Sequence, residues 1–204
     1  MKKGKIIAIL GGPASGKSTL IRRMRARFRV RAFFEGEESD LPSFIKSNIN
    51  KKINGLQTIL FFHNQSVAQY LDAIKLRNAG KDVLLDTFWL SNLFYLDTML
   101  SDKNERRLVK ELIFQTGKYL PLPDAIVCLR VDRATIKQRM GNRGRKFEHN
   151  FIAQAQKINL AHDKYLAKKR QYFKSVPLIK VNAKSFDFSE IGKRLGLKLK
   201  NLKI

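Results

Sequence analysis

The sequence predicts a three-layer α/β fold, a mostly parallel sheet of about five strands with helices on both faces. Three observations carry that expectation. Short apolar runs alternate with longer stretches of helical periodicity along the whole chain. Those runs are apolar at most positions rather than at every second one, as strands covered on both faces are. The first of them, KIIAIL at 5–10, leads into the Gly-rich stretch GGPASGKSTL at 11–20 and then into a helical pattern.

Each element follows in order. KIIAIL (5–10) is the first strand and Lys17–Arg27 a helix. RVRAFFE (29–35) is the second strand. Leu41–Asn54 and Leu56–Asn78 read as helices divided by Gly55, and Gly80 stops the second. DVLLD (82–86) is a strand ending in a carboxylate. Phe88–Leu100 and Lys103–Lys118 read as helices, LPLPD (120–124) as a loop and AIVCLRV (125–131) as the next strand. Ala134–Met140 is a short helix, GNRGRKFE (141–148) a basic loop and His149–Phe173 a long helix. PLIKVNA (177–183) is the last strand and Phe188–Leu195 the last helix. Residues 1–204 thus read as one domain, with a lid at about 141–149 and a basic tail at 197–204.

The stretch between the first strand and the first helix fits G-x-x-x-x-G-K-[ST], with Gly11, Gly16, Lys17 and Ser18 at the fixed positions. Strand, Gly-rich turn and helix is the context such a motif requires, so the fold is of the P-loop NTPase type. Gly11, Gly12, Pro13, Ala14, Ser15, Gly16, Lys17, Ser18 and Thr19 are the expected ATP contacts. Backbone N–H groups there point inward, and the helix N-terminus adds partial positive charge. Lys17 reaches the β- and γ-phosphates, and the Ser18 hydroxyl is a ligand for Mg²⁺, the expected cofactor. The plain alternative is a Gly-rich turn that binds nothing.

Composition bounds the rest. Forty-one Lys and Arg against 17 Asp and Glu give a net charge of +24. Arginines cluster at 22–31 (RRMRARFRVR) and 139–146 (RMGNRGRK), and basic residues recur at 168–170 and in the tail. The charge fits either a solvated surface or a polyanionic partner such as nucleic acid. No apolar run reaches transmembrane length, so no membrane partner is expected. Met1–Leu10 has the lysines and short apolar run of a weak signal peptide, but it runs straight into the phosphate loop and reads as the first strand. Cys128 is the sole cysteine, which excludes a disulfide within the chain, and the expected location is cytoplasmic.

In parallel sheets ligands sit at the carboxyl ends of the strands. The second strand ends at Glu35, with Glu37, Glu38 and Asp40 behind it, and the third ends at Asp86. Together with the phosphate loop these segments resemble the deoxynucleoside kinase and thymidylate kinase group of P-loop kinases, over nearly the whole chain and in order. FFEGEE (33–38) resembles the segment where deoxynucleoside kinases carry Glu followed by Pro. LLDTFWLSNLFY (84–95) resembles the thymidylate kinase segment built on Asp-Arg-Phe/Tyr, and LPLPDAIVCLRV the Leu-Pro-x-Pro-Asp loop and strand. RGRKFE (143–148) matches the Arg-x-Arg-x-x-Glu lid of deoxynucleoside kinases.

The resemblance implies an ATP-dependent kinase that phosphorylates a nucleoside or a nucleoside monophosphate. Lys17, Glu35, Arg143 and Arg145 are the candidate catalytic residues. Glu35 is read as general base or Mg²⁺ organiser, or else as a solvated loop acid. Asp86 is a Mg²⁺ ligand beside Ser18, or a cap for the helix at 88–100. Arg143 and Arg145 neutralise the transferring phosphoryl group, or belong to a mobile basic loop. Gln57 bonds the base edge of the acceptor, or is an exposed helix residue. Phe61, Phe62 and Trp89 stack on the base, or pack in the core.

Two departures stand out. The family Arg after the aspartate is Thr87 here, and a second family Arg, about seven residues after Gln57, is Asn64. They keep two other readings open: a polynucleotide 5′-hydroxyl kinase served by the basic surface, and a non-catalytic nucleotide-binding protein. Expected partners are ATP and the acceptor, with nucleic acid and a second copy of the chain as further candidates.

Overall fold

The structure is a computed structural model and describes residues 3–35, 40–142, 152–167, 176–184 and 187–200. The strands are β1 (Ile6–Leu10), β2 (Val30–Phe33), β3 (Asp82–Asp86), β4 (Ala125–Arg130) and β5 (Leu178–Asn182). They form one sheet in the order β2-β3-β1-β4-β5, every pair parallel. The helices are α1 (Lys17–Arg27), α2 (Ser43–Lys51), α3 (Gly55–Asn78), α4 (Leu96–Met99), α5 (Lys103–Tyr119), α6 (Arg133–Asn142), α7 (Ile152–Ala167) and α8 (Phe188–Arg194).

Alternation along the central strand divides the core in two. Ile6, Ala8 and Leu10 pack into a cluster with residues of α3, α5 and the 88–100 segment. Ile7 and Ile9 face the other way, onto Leu20, Ile21 and Met24 of α1 and Ile191 of α8. All five residues of β1 are fully buried, and each large aliphatic side chain so covered stabilises the fold by roughly 1.5–3 kcal/mol. This is why β1 reads as a continuous apolar run rather than an alternating one.

Side chains fix several boundaries. Asp102 and Asp187 cap α5 and α8 by accepting the N–H groups two and three residues on. Asp124 accepts the Ile6 N–H at 2.7 Å and lies 3.8 Å from Arg77, tying the start of β1 to the end of α3. Gly80, at φ 77°, turns the chain from α3 into β3.

Three expectations are corrected in detail. Gly55 does not divide two helices but begins α3, and a Cβ there would lie 1.9 Å from the Met99 carbonyl oxygen, so the position takes glycine. Lys52 and Asn54, at φ 55° and 48°, make the turn before it. The second strand ends at Phe33, so Glu35 lies two residues beyond it. The segment 88–100 is not one α-helix but a 3₁₀ helix, Trp89–Tyr95, followed by α4. Ser91 Oγ donates to the Phe88 carbonyl at 2.6 Å and Asn92 Nδ2 to the Trp89 carbonyl at 3.1 Å. Such side-chain bonds three residues back compete with the α-helical ladder. No helix is long and apolar enough to cross a membrane, among the described residues.

Candidate functional site

The carboxyl end of β1 opens into the phosphate loop, and α1 begins at Lys17. The loop needs unusual backbone angles: Gly16, the residue before the helix, has φ 93°, and Ala14 has φ 61°. Leu20 N–H bonds back to the Gly16 carbonyl at 2.9 Å, so the first helical turn is formed and its leading N–H groups face the loop.

β3, hydrogen-bonded to β1 along its length, delivers Asp86 beside that loop. Its Oδ2 accepts from Ser18 Oγ at 2.8 Å, and its Oδ1 lies 3.8 Å from Lys17 Nζ. Lys17 is 8% exposed and Asp86 3%, so their attraction acts where water screens little. Among the described residues Asp86 Oδ1 has no hydrogen-bond partner although buried. A buried, open carboxylate oxygen next to a hydroxyl is the hard oxygen donor set that suits Mg²⁺, which takes few protein ligands and completes its octahedron with phosphate and water. Among the described residues no cluster of three or more His, Cys, Asp or Glu competes for a metal.

Glu35 comes from the segment after β2. Gln69 of α3 donates to the Phe34 carbonyl at 3.0 Å and fixes that segment against the sheet. Tyr95, from the 3₁₀ helix, feels the charges of both acids. Burial raises its phenol well above the ordinary range, and the charges of Glu35 and Asp86 raise it further. It therefore stays a neutral donor near both.

Two further side chains hold the loop itself. Arg139 of α6 donates Nη1 to the carbonyls of Ser15 at 3.0 Å and Ala14 at 3.3 Å, and Nη2 to that of Ala183 at 2.6 Å. Asn159 of α7 accepts the Gly12 N–H at 3.3 Å. His162, on α7, lies against Phe94 with ring centroids 4.0 Å apart and planes tilted by 47°. Burial lowers its pKa well below the ordinary value, and the Lys17 charge lowers it further, so the ring is neutral. Neither ring nitrogen has a hydrogen-bond partner.

The expected residues thus divide. Gly11 to Thr19, Asp86 and Glu35 come to one edge of the sheet, as the topology requires. Gln57 is exposed in the first turn of α3, and its Oε1 accepts from Asn48 Nδ2 at 2.8 Å. It lies twelve residues before Gln69, roughly 18 Å along the helix axis. Phe61, half-buried, packs edge-on between Phe44 and Phe62. Trp89 is buried, edge-on to Phe88 and against Gly117, and its Nε1 has no hydrogen-bond partner. Thr87, where the family Arg was expected, is buried with φ 76°, an angle a β-branched residue rarely adopts. Glu37, Glu38 and the lid arginines Arg143 and Arg145 lie outside the described residues.

Sequence reasoning missed Tyr95, Arg139, Asn159 and His162. Tyr95 stood at the end of the segment already quoted, and Arg139 inside the basic run at 139–146, but neither was singled out. Asn159 and His162 carry no local signal on a helix.

A family model described as an AAA domain matches residues 6–172. No curated protein matches the chain by sequence. Solved structures do match by shape. Deoxyadenosine kinase from M. mycoides with the products dCMP and a flexible dCDP bound has a TM-score of 0.76 at 19% identity, covering 94% of this chain and 98% of that one. The same enzyme with dATP gives 0.72 at 18%, covering 94% and 99%, and with dCTP 0.73 at 17%, covering 94% and 98%.

Proposed function

We propose, for a chain that belongs to the AAA domain family of P-loop proteins and has the fold of the deoxyadenosine kinases, that it transfers the γ-phosphoryl group of ATP to a nucleoside or nucleoside monophosphate. The observation that carries this reading is Asp86: a buried carboxylate bonded to Ser18, 3.8 Å from Lys17, with one oxygen left open. A structural carboxylate would have both oxygens satisfied.

In this reading the loop amides and Lys17 bind the β- and γ-phosphates. Ser18 and Asp86 would hold Mg²⁺, which supplies charge neutralisation on the phosphates when bound. The acceptor's hydroxyl oxygen attacks the γ-phosphorus as the bond to the β,γ-bridging oxygen breaks, and ADP leaves. Glu35 takes the hydroxyl proton. For a monophosphate acceptor the attacking oxygen is already ionised and Glu35 has no proton to take. Tyr95, kept neutral mainly by burial, adds no negative charge beside the acids. Arg143 and Arg145 bring positive charge to the transferring group. Gln57 and Phe61 are the proposed contacts for the acceptor's base. A cytoplasmic location belongs to the same proposal.

One observation favours a second reading, nucleotide binding without transfer. Thr87 occupies the place of an acceptor-facing Arg in the resembled family, and its backbone angle is strained. Labelled ATP incubated with nucleosides, monophosphates and 5′-hydroxyl oligonucleotides separates the readings. Label on a nucleoside or monophosphate supports the first. Tight ATP binding with no labelled product from any acceptor rejects it.

A further inference from the structure

The phosphate loop occupies the edge of the sheet where the strands end. The opposite edge, where they begin, carries a concave surface of about 940 Å³. Its walls are the residues before β1, the whole of β2 from Val30 to Phe33, the start of β3, the turn after α3 and the 196–200 segment. Eight of its sixteen lining residues are Lys or Arg, and Asp82 is the one acid. Two of these groups are committed within the fold. Lys5 Nζ donates to the Leu195 carbonyl at 2.6 Å, and Asp82 Oδ1 accepts the Lys5 N–H at 2.9 Å. Arg25, Arg29, Arg31, Lys81, Lys198 and Lys200 remain exposed around the concavity.

Backbone bonds hold the like charges together. Arg29 N–H donates to the Lys198 carbonyl at 2.8 Å, Lys200 N–H donates to the Arg27 carbonyl at 2.9 Å, and Phe28 pairs with Leu199 as an antiparallel bridge. The lysines of the 198–200 segment are thereby fixed beside the arginines at the entry to β2. Concentrating cations of one sign in a concave wall costs self-repulsion, which an anionic partner relieves. A scattered solvated charge would show no such fixed wall.

We infer that this groove binds the phosphate backbone of nucleic acid, separately from the nucleotide held by the phosphate loop. A repeating anion matches a row of cations, and each phosphate neutralised releases counterions. Phe33 is the only aromatic residue in the lining, and it packs against the core. Contacts are therefore to phosphate rather than to stacked bases, and binding is insensitive to sequence. A lipid surface fits less well: the site is concave, and among the described residues the one large exposed hydrophobic in its walls is Leu199, which pairs with Phe28 and does not line the concavity. No residue of the phosphate loop lines the groove, nor does Asp86; the groove reaches along β2 as far as Phe33, two residues before Glu35.

The test is fluorescence anisotropy of a labelled mixed-sequence single-stranded oligonucleotide over a series of salt concentrations. Wild type is compared with Arg29→Ala/Arg31→Ala/Lys81→Ala and with a charge-matched control on α5, Lys103→Ala/Arg107→Ala/Lys118→Ala. All six residues are exposed, and the ATP-induced rise in melting temperature checks that each protein is intact. The groove triple should flatten the log–log salt slope by about two units, at roughly 0.7 per lost contact, and the control should not. Equal losses in both triples would show attraction to net charge alone and overturn the proposal. So would a loss confined to Arg143→Ala/Arg145→Ala, or binding to phosphatidylserine vesicles with none to oligonucleotide. Photo-cross-linking of a bromouridine oligonucleotide gives a second reading: adducts should map to residues 25–33 and 198–200, and adducts only at the phosphate loop would reject the groove.

Discussion

Replacing Asp86 by Asn tests the electrostatic centre of the site at nearly constant volume. The carboxylate lies 3.8 Å from the Lys17 ammonium, and both are buried. At that separation the attraction is about 1 kcal/mol in bulk water and about 4 kcal/mol at an effective dielectric constant near 20. Burial places the pair toward the second figure, in line with the roughly 3–5 kcal/mol lost when one partner of a buried pair is removed. In a domain of this size each kcal/mol shifts the melting temperature by about 2–4 °C. Asp86→Asn without ligand should therefore melt about 6–20 °C below wild type. ATP without metal supplies the missing anion to Lys17, so it should stabilise the variant at least as strongly as it stabilises wild type. Added Mg²⁺ should raise the melting temperature of the wild-type ATP complex and leave that of the variant nearly unchanged. Differential scanning fluorimetry with ATP, with and without Mg²⁺, reads all of this. A variant that melts within about 2 °C of wild type and responds to Mg²⁺ as wild type does would refute the assignment of Asp86 to both ion pair and metal.

Lys17→Ala should remove MgATP-dependent transfer while circular dichroism stays native; normal turnover in a folded variant would sink the phosphate-loop assignment. Glu35→Gln should lower kcat on a nucleoside by about 10²–10⁴-fold with little change in ATP affinity, and near-normal kcat would move the base elsewhere. Arg143→Ala and Arg145→Ala should lower kcat and kcat/KM together, as groups acting in the transition state do. His162 makes the protein acid-sensitive: its folded pKa lies below the unfolded value near 6.5, so the unfolded chain takes up a proton first and stability falls as pH drops below that value. His63, lowered by burial, adds in the same direction. His162→Phe should flatten the stability-versus-pH curve below pH 6.5 without loss at alkaline pH, because no hydrogen bond is given up; an unchanged acid limb would assign the effect to other groups.

Much of the fold was legible because its signals are local. β1, β3 and β4 are buried on both faces and bounded by Gly, Asp or Pro, so each shows as an apolar run with clear ends. The 3₁₀ helix was not legible. Its Ser91 and Asn92 look like ordinary helix residues until their side chains are seen bonding the carbonyls three residues back. The site divides the same way. The phosphate loop is a contiguous motif, and Asp86 follows from the rule that ligands gather at strand ends. Tyr95 feels the charges of Glu35 and Asp86, and that depends on the path of two separate connections. Arg139 and Asn159 could be a surface arginine and a helix amide in any other fold; only packing of α6 and α7 against the loop gives them a role.

The bonds to the phosphate loop also set an order of events. The motif spans eight residues, yet its partners come from far along the chain. Ser18 meets Asp86 across 68 positions, Ser15 meets Arg139 across 124 and Gly12 meets Asn159 across 147. Contacts that close such long loops form late in folding, after the entropy of closure has been met. A chain emerging from the ribosome therefore carries the whole motif long before it can hold a nucleotide as the finished protein does. On the proposed reading ATP would act late, adding stability through mass action to the completed molecule with α7 in place. Nucleotide retention during synthesis thus works as a clock on this fold, and chains halted before α7 should leave the ribosome without it.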